Sequence, residues 1–265
     1  MNTPAIKLTE EQVQQFHREG FLGLDAITDQ AELERMRVIY DKIFQERMGW
    51  EDGRQFDLGG NEQDGKAVLP QVMQPSRYFP ELLETNFRKN ACVVARQLLG
   101  ETMYPDPGEH MIYKPAKYGG VTPWHQDQSY HDPTRIVQQV NIWMPLDDAT
   151  IESGCLQYVP GSHELDVLPH HSINNDPRVH GLEVDNAESY HEQAVACPVP
   201  AGGCAMHASF MLHYAAPNTT NNPRRAYTLV FACPGVQRKT PIDNYWKREK
   251  QTAQMARTEA AKKKN

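Results

Sequence analysis

The chain has 265 residues, 39% of them hydrophobic and 23% charged. At that length, folding buries roughly 73% of the extended chain's surface, enough for a core without disulfides or a structural metal. The composition argues against wholesale disorder, and 34 acidic against 27 basic side chains, a formal charge of -7, argue against a broad nucleic-acid footprint.

No apolar run approaches the roughly 20 residues needed to span a bilayer. The opening MNTPAIKLTEEQ lacks the basic and apolar regions of a signal peptide, and the closing AAKKKN carries no lipidation signal. Cys92, Cys155, Cys197, Cys204 and Cys233 form no CxxC pair, which fits a reducing compartment. The expectation is a cytoplasmic monomer or homodimer that takes a small-molecule substrate and binds neither nucleic acid nor membrane.

In chain order, Thr9 and Gln12 form a capping box that starts a helix with Val13 and Phe16 on one face, ended by Gly20. A second helix is predicted from Asp29 toward Gly49, with Glu32 at N3 and Leu33, Met36, Ile39 or Tyr40, Ile43 and Phe44 in its apolar stripe. Residues 51–65 are rich in glycine and read as a surface loop or part of a substrate mouth. A third helix is predicted from Pro80, suited to N1, to Gly100.

After residue 108 the texture becomes short β-prone runs at 109–114, 121–125, 136–146, 155–159, 193–199, 203–207 and 226–233, separated by turn residues. Within one of them Val140, Ile142 and Met144 alternate with Gln139, Asn141 and Trp143, as if one face met a core and the other a polar cavity. Strands without a βαβ rhythm predict an antiparallel sandwich or jelly roll. Residues 163–191, with five histidines among Asn and Asp, read as a polar loop over an active-site mouth. The segment from Trp246, with seven Lys/Arg against two Glu, reads as a solvated helix and frayed tail.

The local string richest in chemistry is Thr122-Pro123-Trp124-His125-Gln126-Asp127. His125 and Asp127, two residues apart, can face one ion along an extended backbone or around a bend. Imidazole with carboxylate suits non-haem iron, where a third histidine completes a facial triad and leaves coordination positions open. His207, His213 and His110 are the candidates for that third ligand. His213 is favoured because Arg224 and Arg225 follow it, and an arginine over the same cavity is the right group to clasp a small dicarboxylate.

Several ordered patterns carry a wider likeness: WHQD at 124–127, NIWMPLDDATIESGCLQYVPGSH at 141–163, AGGCAMHASFMLH at 201–213 and PNTTNNPRR at 217–225. On these the stretch from about 110 to 233 resembles the phytanoyl-CoA dioxygenase-like (PhyH-like) family of Fe(II)- and 2-oxoglutarate-dependent oxygenases. The resemblance implies a mainly β fold, a double-stranded β-helix (jelly roll, cupin-like) core with N-terminal helices. It implies one oxygenase domain over 1–265: a helix-rich region at 1–108, a jelly-roll core at 109–235 with a lid insertion at about 163–191, and a basic C-terminal helix or tail at 236–265.

The same resemblance implies Fe(II) as cofactor, with 2-oxoglutarate and O2 as cosubstrates. His125, Asp127 and His213 match the iron ligands, Arg224 matches the arginine that binds the 2-oxoglutarate 5-carboxylate, and Trp143 matches a cavity position beside it. Gln126, Asn141 and Lys114 are further cosubstrate candidates, and Gln71, Gln74, Arg77, Tyr78 and His171 are candidate substrate contacts. The implied reaction hydroxylates an unactivated C–H bond of a small metabolite, in the setting of secondary metabolism, with succinate and CO2 as coproducts. The alternatives are oxidative desaturation or cyclisation, a non-oxidative cupin-like isomerase or hydrolase, and a non-catalytic binding protein. Halogenation is disfavoured, because Asp127 fills the position that a halide would need.

Overall fold

The structure is a computed structural model and describes residues 6–62 and 65–263. The outer ends of the expected N-terminal region and C-terminal tail, 1–5 and 264–265, and residues 63–64 of the glycine-rich loop lie outside the described residues. Fifteen strands run in chain order among the described residues. They are β1 (Phe21–Leu24), β2 (Gln55–Asp57), β3 (Pro70–Met73), β4 (Tyr104–Lys114), β5 (Thr122–His125), β6 (Arg135–Ile136), β7 (Gln139–Pro145) and β8 (Leu156–Tyr158). After them come β9 (His170–Ser172), β10 (Leu182–Val184), β11 (Val195–Cys197), β12 (Cys204–Ala208), β13 (His213–Ala215), β14 (Arg224–Ala232) and β15 (Val236–Gln237). The α-helices are α1 (Glu10–Glu19), α2 (Gln30–Gln45), α3 (Asn86–Leu99), α4 (Tyr245–Arg248) and α5 (Ala253–Lys262).

Seven strands form one antiparallel sheet in the order β1-β12-β7-β14-β4-β3-β2, and four form a second in the order β11-β8-β13-β5. Two antiparallel sheets, the larger covered by α1, α2 and α3, make the jelly roll expected of the chain. The alternation on β7 divides the molecule. Val140, Ile142 and Met144, with Tyr227, Leu229 and Phe231 of β14, pack against Leu33, Met36 and Tyr40 of α2 and Phe87, Ala91 and Val94 of α3. Gln139, Asn141 and Trp143 point the other way and line a cavity.

Helix boundaries follow local chemistry. The capping box at Thr9 and Gln12 is formed, and Gly20, at φ +85°, closes α1. Helix α2 stops at Gln45, short of Gly49. The predicted third helix is two pieces: a 3-10 turn over Pro80–Glu84, then α3, capped by the Thr85 hydroxyl accepting from Arg88 N–H. The break has a cause distant in sequence. The buried Glu32 carboxylate accepts the N–H groups of Asn86 (2.6 Å) and Phe87 (2.8 Å), so α3 starts where α2 supplies an anion.

Gly154 has φ +83°, and a Cβ there would lie 2.3 Å from the Ala216 carbonyl oxygen, so only glycine lets that turn meet the strand carrying the site. The C-terminal segment is bound to the body. Trp246 is buried and its indole N–H donates to Ser129 O, while Lys250 donates to the carbonyls of Val179, His180 and Gly181. Arg257 lies over the Trp50 ring at 3.9 Å, pairs with Glu62 and donates to Gln55 O. No helix among the described residues is long and apolar enough to cross a membrane.

Candidate active site

The cavity of about 360 Å³ lies inside the β structure. Strand β5 ends at His125, and the chain then bends into a 3-10 turn that starts at Asp127, so the bend rather than a continuous strand turns the carboxylate inward. Strand β13 lies beside β5 with His213 directly opposite His125. The outcome is three donor atoms that all lie within 4.8 Å of one another. Asp127 Oδ1 stands 3.6 Å from His125 Nε2 and 3.7 Å from His213 Nε2.

Hydrogen bonds fix which nitrogen is available. His125 Nδ1 donates to Pro123 O (2.8 Å) and His213 Nδ1 to Met211 O (2.9 Å), so each imidazole presents the lone pair of Nε2. Asp127 is steered too: its Oδ2 accepts from Asn141 Nδ2 and, at 3.1 Å, from His207 Nε2, which leaves Oδ1 facing the histidines. Burial opposes ionisation of Asp127, but His213, His125 and His207 outweigh it and hold the carboxyl well below its usual range. Burial, reinforced by His125 and His207, pushes His213 well below the usual histidine value, into the neutral form a metal requires.

The three candidates for the third donor separate cleanly. His207 spends Nε2 on Asp127 and Nδ1 on Tyr158 OH (3.1 Å), which makes it a prop for the carboxylate. His110 lines the cavity with Nδ1 bound to Gly108 O and stands outside the converging group. Only His213 converges with His125 and Asp127 among the described residues.

Arg224, the first residue of β14, is 1% exposed and lines the same cavity. Its guanidinium sits 5.0 Å from the Trp143 ring centre, and its Nε and Nη1 have no hydrogen-bond partner. Burial lowers its pKa to about 10. A buried cation with unpaired donors is costly unless an anion completes it, so the residues present fit a carboxylate at this end and a divalent metal at the other. Arg225, one residue on, faces out and pairs with Asp147 and Asp41.

The remaining predicted residues divide. Asn141, Trp143 and Gln71 line the cavity. Gln126 does not: as the residue between His125 and Asp127 it points elsewhere, donating to Phe210 O and accepting from Leu168 N–H. Lys114 is fully buried with its ammonium held by the carbonyls of Ala215 and Ala216, and burial, then Arg224, pushes its pKa well down. It braces the strand after His213 and does not reach the cavity.

Gln74, Arg77 and Tyr78 are also outside the lining, because the chain makes a 3-10 turn at Pro75–Arg77 beyond the edge of β3. Gln74 there accepts from Arg54 and Arg77, and Tyr78 packs against Gly49. His171 is outside the lining, as is the rest of β9: His170 and Ser172 are buried, while the half-buried His171 binds Asp185 and Glu183. Sequence reasoning passed over Phe56, Tyr130, His180 and Gln254, which line the mouth from four separate segments. The signals were the glycine-rich loop around Phe56 and the histidine-rich loop that carries His180, both read as parts of a mouth without these residues being singled out.

His170 offers a pH test of this architecture. Its Nδ1 donates to Leu168 O and its Nε2 accepts from Gln126 N–H, so it is bonded as a neutral ring, and burial lowers its pKa to about 4. The unfolded chain, at the ordinary histidine value, binds the proton first, so stability present above that value is lost as pH falls toward the folded one. Between pH 7 and pH 4.5 this group contributes a loss of about 2 kcal/mol. Urea unfolding of the wild type and of His170→Gln across that window should show a shallower pH dependence in the variant; parallel curves would refute it.

Residues 16–226 match the phytanoyl-CoA dioxygenase (PhyH) family. A phytanoyl-CoA dioxygenase domain-containing protein 1 homolog of Dictyostelium discoideum is 28% identical over 258 residues, covering 85% of this chain and 92% of that protein. EvdO2 from Micromonospora carbonacea var. aurantiaca, whose crystal structure holds 2-oxoglutarate, is 34% identical with a TM-score of 0.78, over 91% of this chain and 98% of EvdO2. The carbocyclase SnoK from nogalamycin biosynthesis, at 22% identity and a TM-score of 0.71 over 93% of each chain, shares the fold. With the family matched across most of the sequence and a two-histidine, one-carboxylate donor set facing a buried arginine, the chain belongs to the phytanoyl-CoA dioxygenase family of Fe(II)- and 2-oxoglutarate-dependent oxygenases.

Proposed function

We propose that the protein hydroxylates an unactivated C–H bond of a small metabolite, using Fe(II) held by His125, Asp127 and His213 and 2-oxoglutarate held at its 5-carboxylate by Arg224. The observation that carries this is the pairing, in one cavity, of a converging donor set with a buried arginine whose Nε and Nη1 are unpartnered. What iron and 2-oxoglutarate supply when bound is O2-dependent oxidation, in which 2-oxoglutarate becomes succinate and CO2 and the substrate gains a hydroxyl.

The chain's own part is placement. His125, Asp127 and His213 would hold the iron from the protein side and leave coordination positions for cosubstrates. Asn141 and His207 hold the Asp127 carboxylate so that one oxygen faces the ion. Trp143 forms an apolar wall beside Arg224, which keeps water from competing for the guanidinium. Substrate enters past Phe56, Tyr130 and His180, and these aromatic rings bound the space next to His125.

Anaerobic titration of metal-free protein with Fe(II) and 2-oxoglutarate, followed by visible absorption, tests the reading. A weak charge-transfer band that requires both components is expected. Folded, metal-loaded protein that gives no band and binds no 2-oxoglutarate would overturn it, and would return the non-oxidative isomerase, hydrolase or binding-protein alternatives.

A further inference from the structure

The cavity also carries polar groups that neither iron nor 2-oxoglutarate uses on the reading above. Asp127, an ionised carboxylate, can only accept, so the Asn141 amide that meets it must present Nδ2 there and turn its Oδ1 away. That oxygen needs a donor, and Gln139 Nε2 supplies it at 3.1 Å. The orientation of Gln139 is thereby fixed, and its Oε1 has no partner although the residue is only 6% exposed. Gln139 lines the cavity, so a buried acceptor waits there for a donor.

Its neighbours share that character. Asp106 lines the cavity, accepts one N–H from Gly108 and makes no ion pair among the described residues. His110 donates from Nδ1 to Gly108 O, which leaves Nε2 as an acceptor in the neutral ring, the form that burial favours. The charged side chains of the lining, histidines aside, are Asp106, Asp127 and Arg224. The formal charges of ferrous iron, Asp127, 2-oxoglutarate and Arg224 cancel, so Asp106 is the one left uncompensated. Among the described residues, no lysine or second arginine lines the cavity to meet an anionic substrate.

We propose that the substrate carries hydrogen-bond donors and no negative charge in the part that enters this cavity, with one donor held by the Gln139 side-chain carbonyl and another within the field of Asp106. The inference rests on the function proposed above and narrows its substrate class. It sets this chain apart from the acyl-CoA chemistry in the family's name, since the cavity lining offers no cation beyond Arg224 to a thioester's phosphates. Hydroxyl and ammonium groups both satisfy the requirement, and Asp106 distinguishes them.

The test uses the full-length protein loaded anaerobically with Fe(II) and 2-oxoglutarate, after the visible band has been observed. Ligand-observed NMR then screens three sets built on shared cyclic skeletons: neutral polyols and glycosides, the corresponding amino alcohols, and the corresponding carboxylates and phosphates, with coenzyme A and decanoyl-CoA among the anions. Binding should be confined to the first two sets, with anions at least about tenfold weaker. Gln139→Leu, checked for an intact band, should weaken neutral and cationic members about tenfold, the scale of one lost buried hydrogen bond. Asp106→Asn should weaken only the amino alcohols if the ligand is cationic and neither set if it is a hydroxyl.

Anions or decanoyl-CoA binding as tightly as neutral members would overturn the inference. So would undiminished binding to Gln139→Leu, or a screen in which no donor-bearing member binds. Absence of the band itself would instead count against the oxygenase reading, so the two failures are distinguishable.

Discussion

Asp127→Asn should lower ferrous affinity at least about a hundredfold and turnover further, with little change in folding. The substitution looks conservative, but the surroundings of Asp127 make it severe. Asn141 Nδ2 and His207 Nε2 both point donors at Oδ2, so the new amide must turn its oxygen toward them. Its NH2 group then occupies the position of Oδ1, between His125 and His213, where it cannot ligate a cation. Outer hydrogen-bond partners of metal ligands are typically worth 10–100-fold in affinity, so Asn141→Ala should fall in that range and Asp127→Asn beyond it. Competition with a ferrous chelator, alongside a thermal melt by circular dichroism, measures both. Retention of affinity within tenfold in Asp127→Asn would remove Asp127 from the donor set.

Arg224→Met should move binding and stability in opposite directions. Loss of the guanidinium removes a buried partner for the 5-carboxylate, at about 3–5 kcal/mol, so 2-oxoglutarate affinity should fall by at least about a hundredfold. In cofactor-free protein the same change removes a desolvated cation with two unpaired donors from beside another buried cation, Lys114. Methionine fills a similar volume without that cost, so the variant should melt higher than wild type by the equivalent of about 1–3 kcal/mol. Adding Fe(II) and 2-oxoglutarate should then raise the melting temperature of wild type far more than that of the variant. A variant that binds 2-oxoglutarate as wild type does would show that the cosubstrate is held elsewhere.

The sequence made the donor set legible because most of its logic is local. His125 and Asp127 are two apart, and the apolar and polar alternation around Trp143 declares which face of the strand meets the cavity. His213 was already favoured over His207 by the arginines that follow it and by the family likeness, and the hydrogen bonds add the physical reason, since both His207 nitrogens are occupied. Helix α3 was misjudged at its start because Pro80 offers an N-terminal signal by itself, whereas the actual start depends on Glu32 from another helix. The same limit explains the mouth. Phe56, Tyr130, His180 and Gln254 come together only through tertiary packing, while Gln74, Arg77 and Tyr78, plausible by composition, sit on a turn whose direction no local pattern sets.

The clasp made by the C-terminal segment gives the molecule an order of assembly. During synthesis the donor set is complete once His213 has left the ribosome, and the buried Arg224 follows eleven residues later. Phe56 and His180 are by then long translated, yet Lys250 and Arg257, which tie down the loops that bear them, are still to come. A nascent chain therefore acquires the parts of a redox centre before it acquires the closure that restricts what may approach it. The mouth is the last element to be finished.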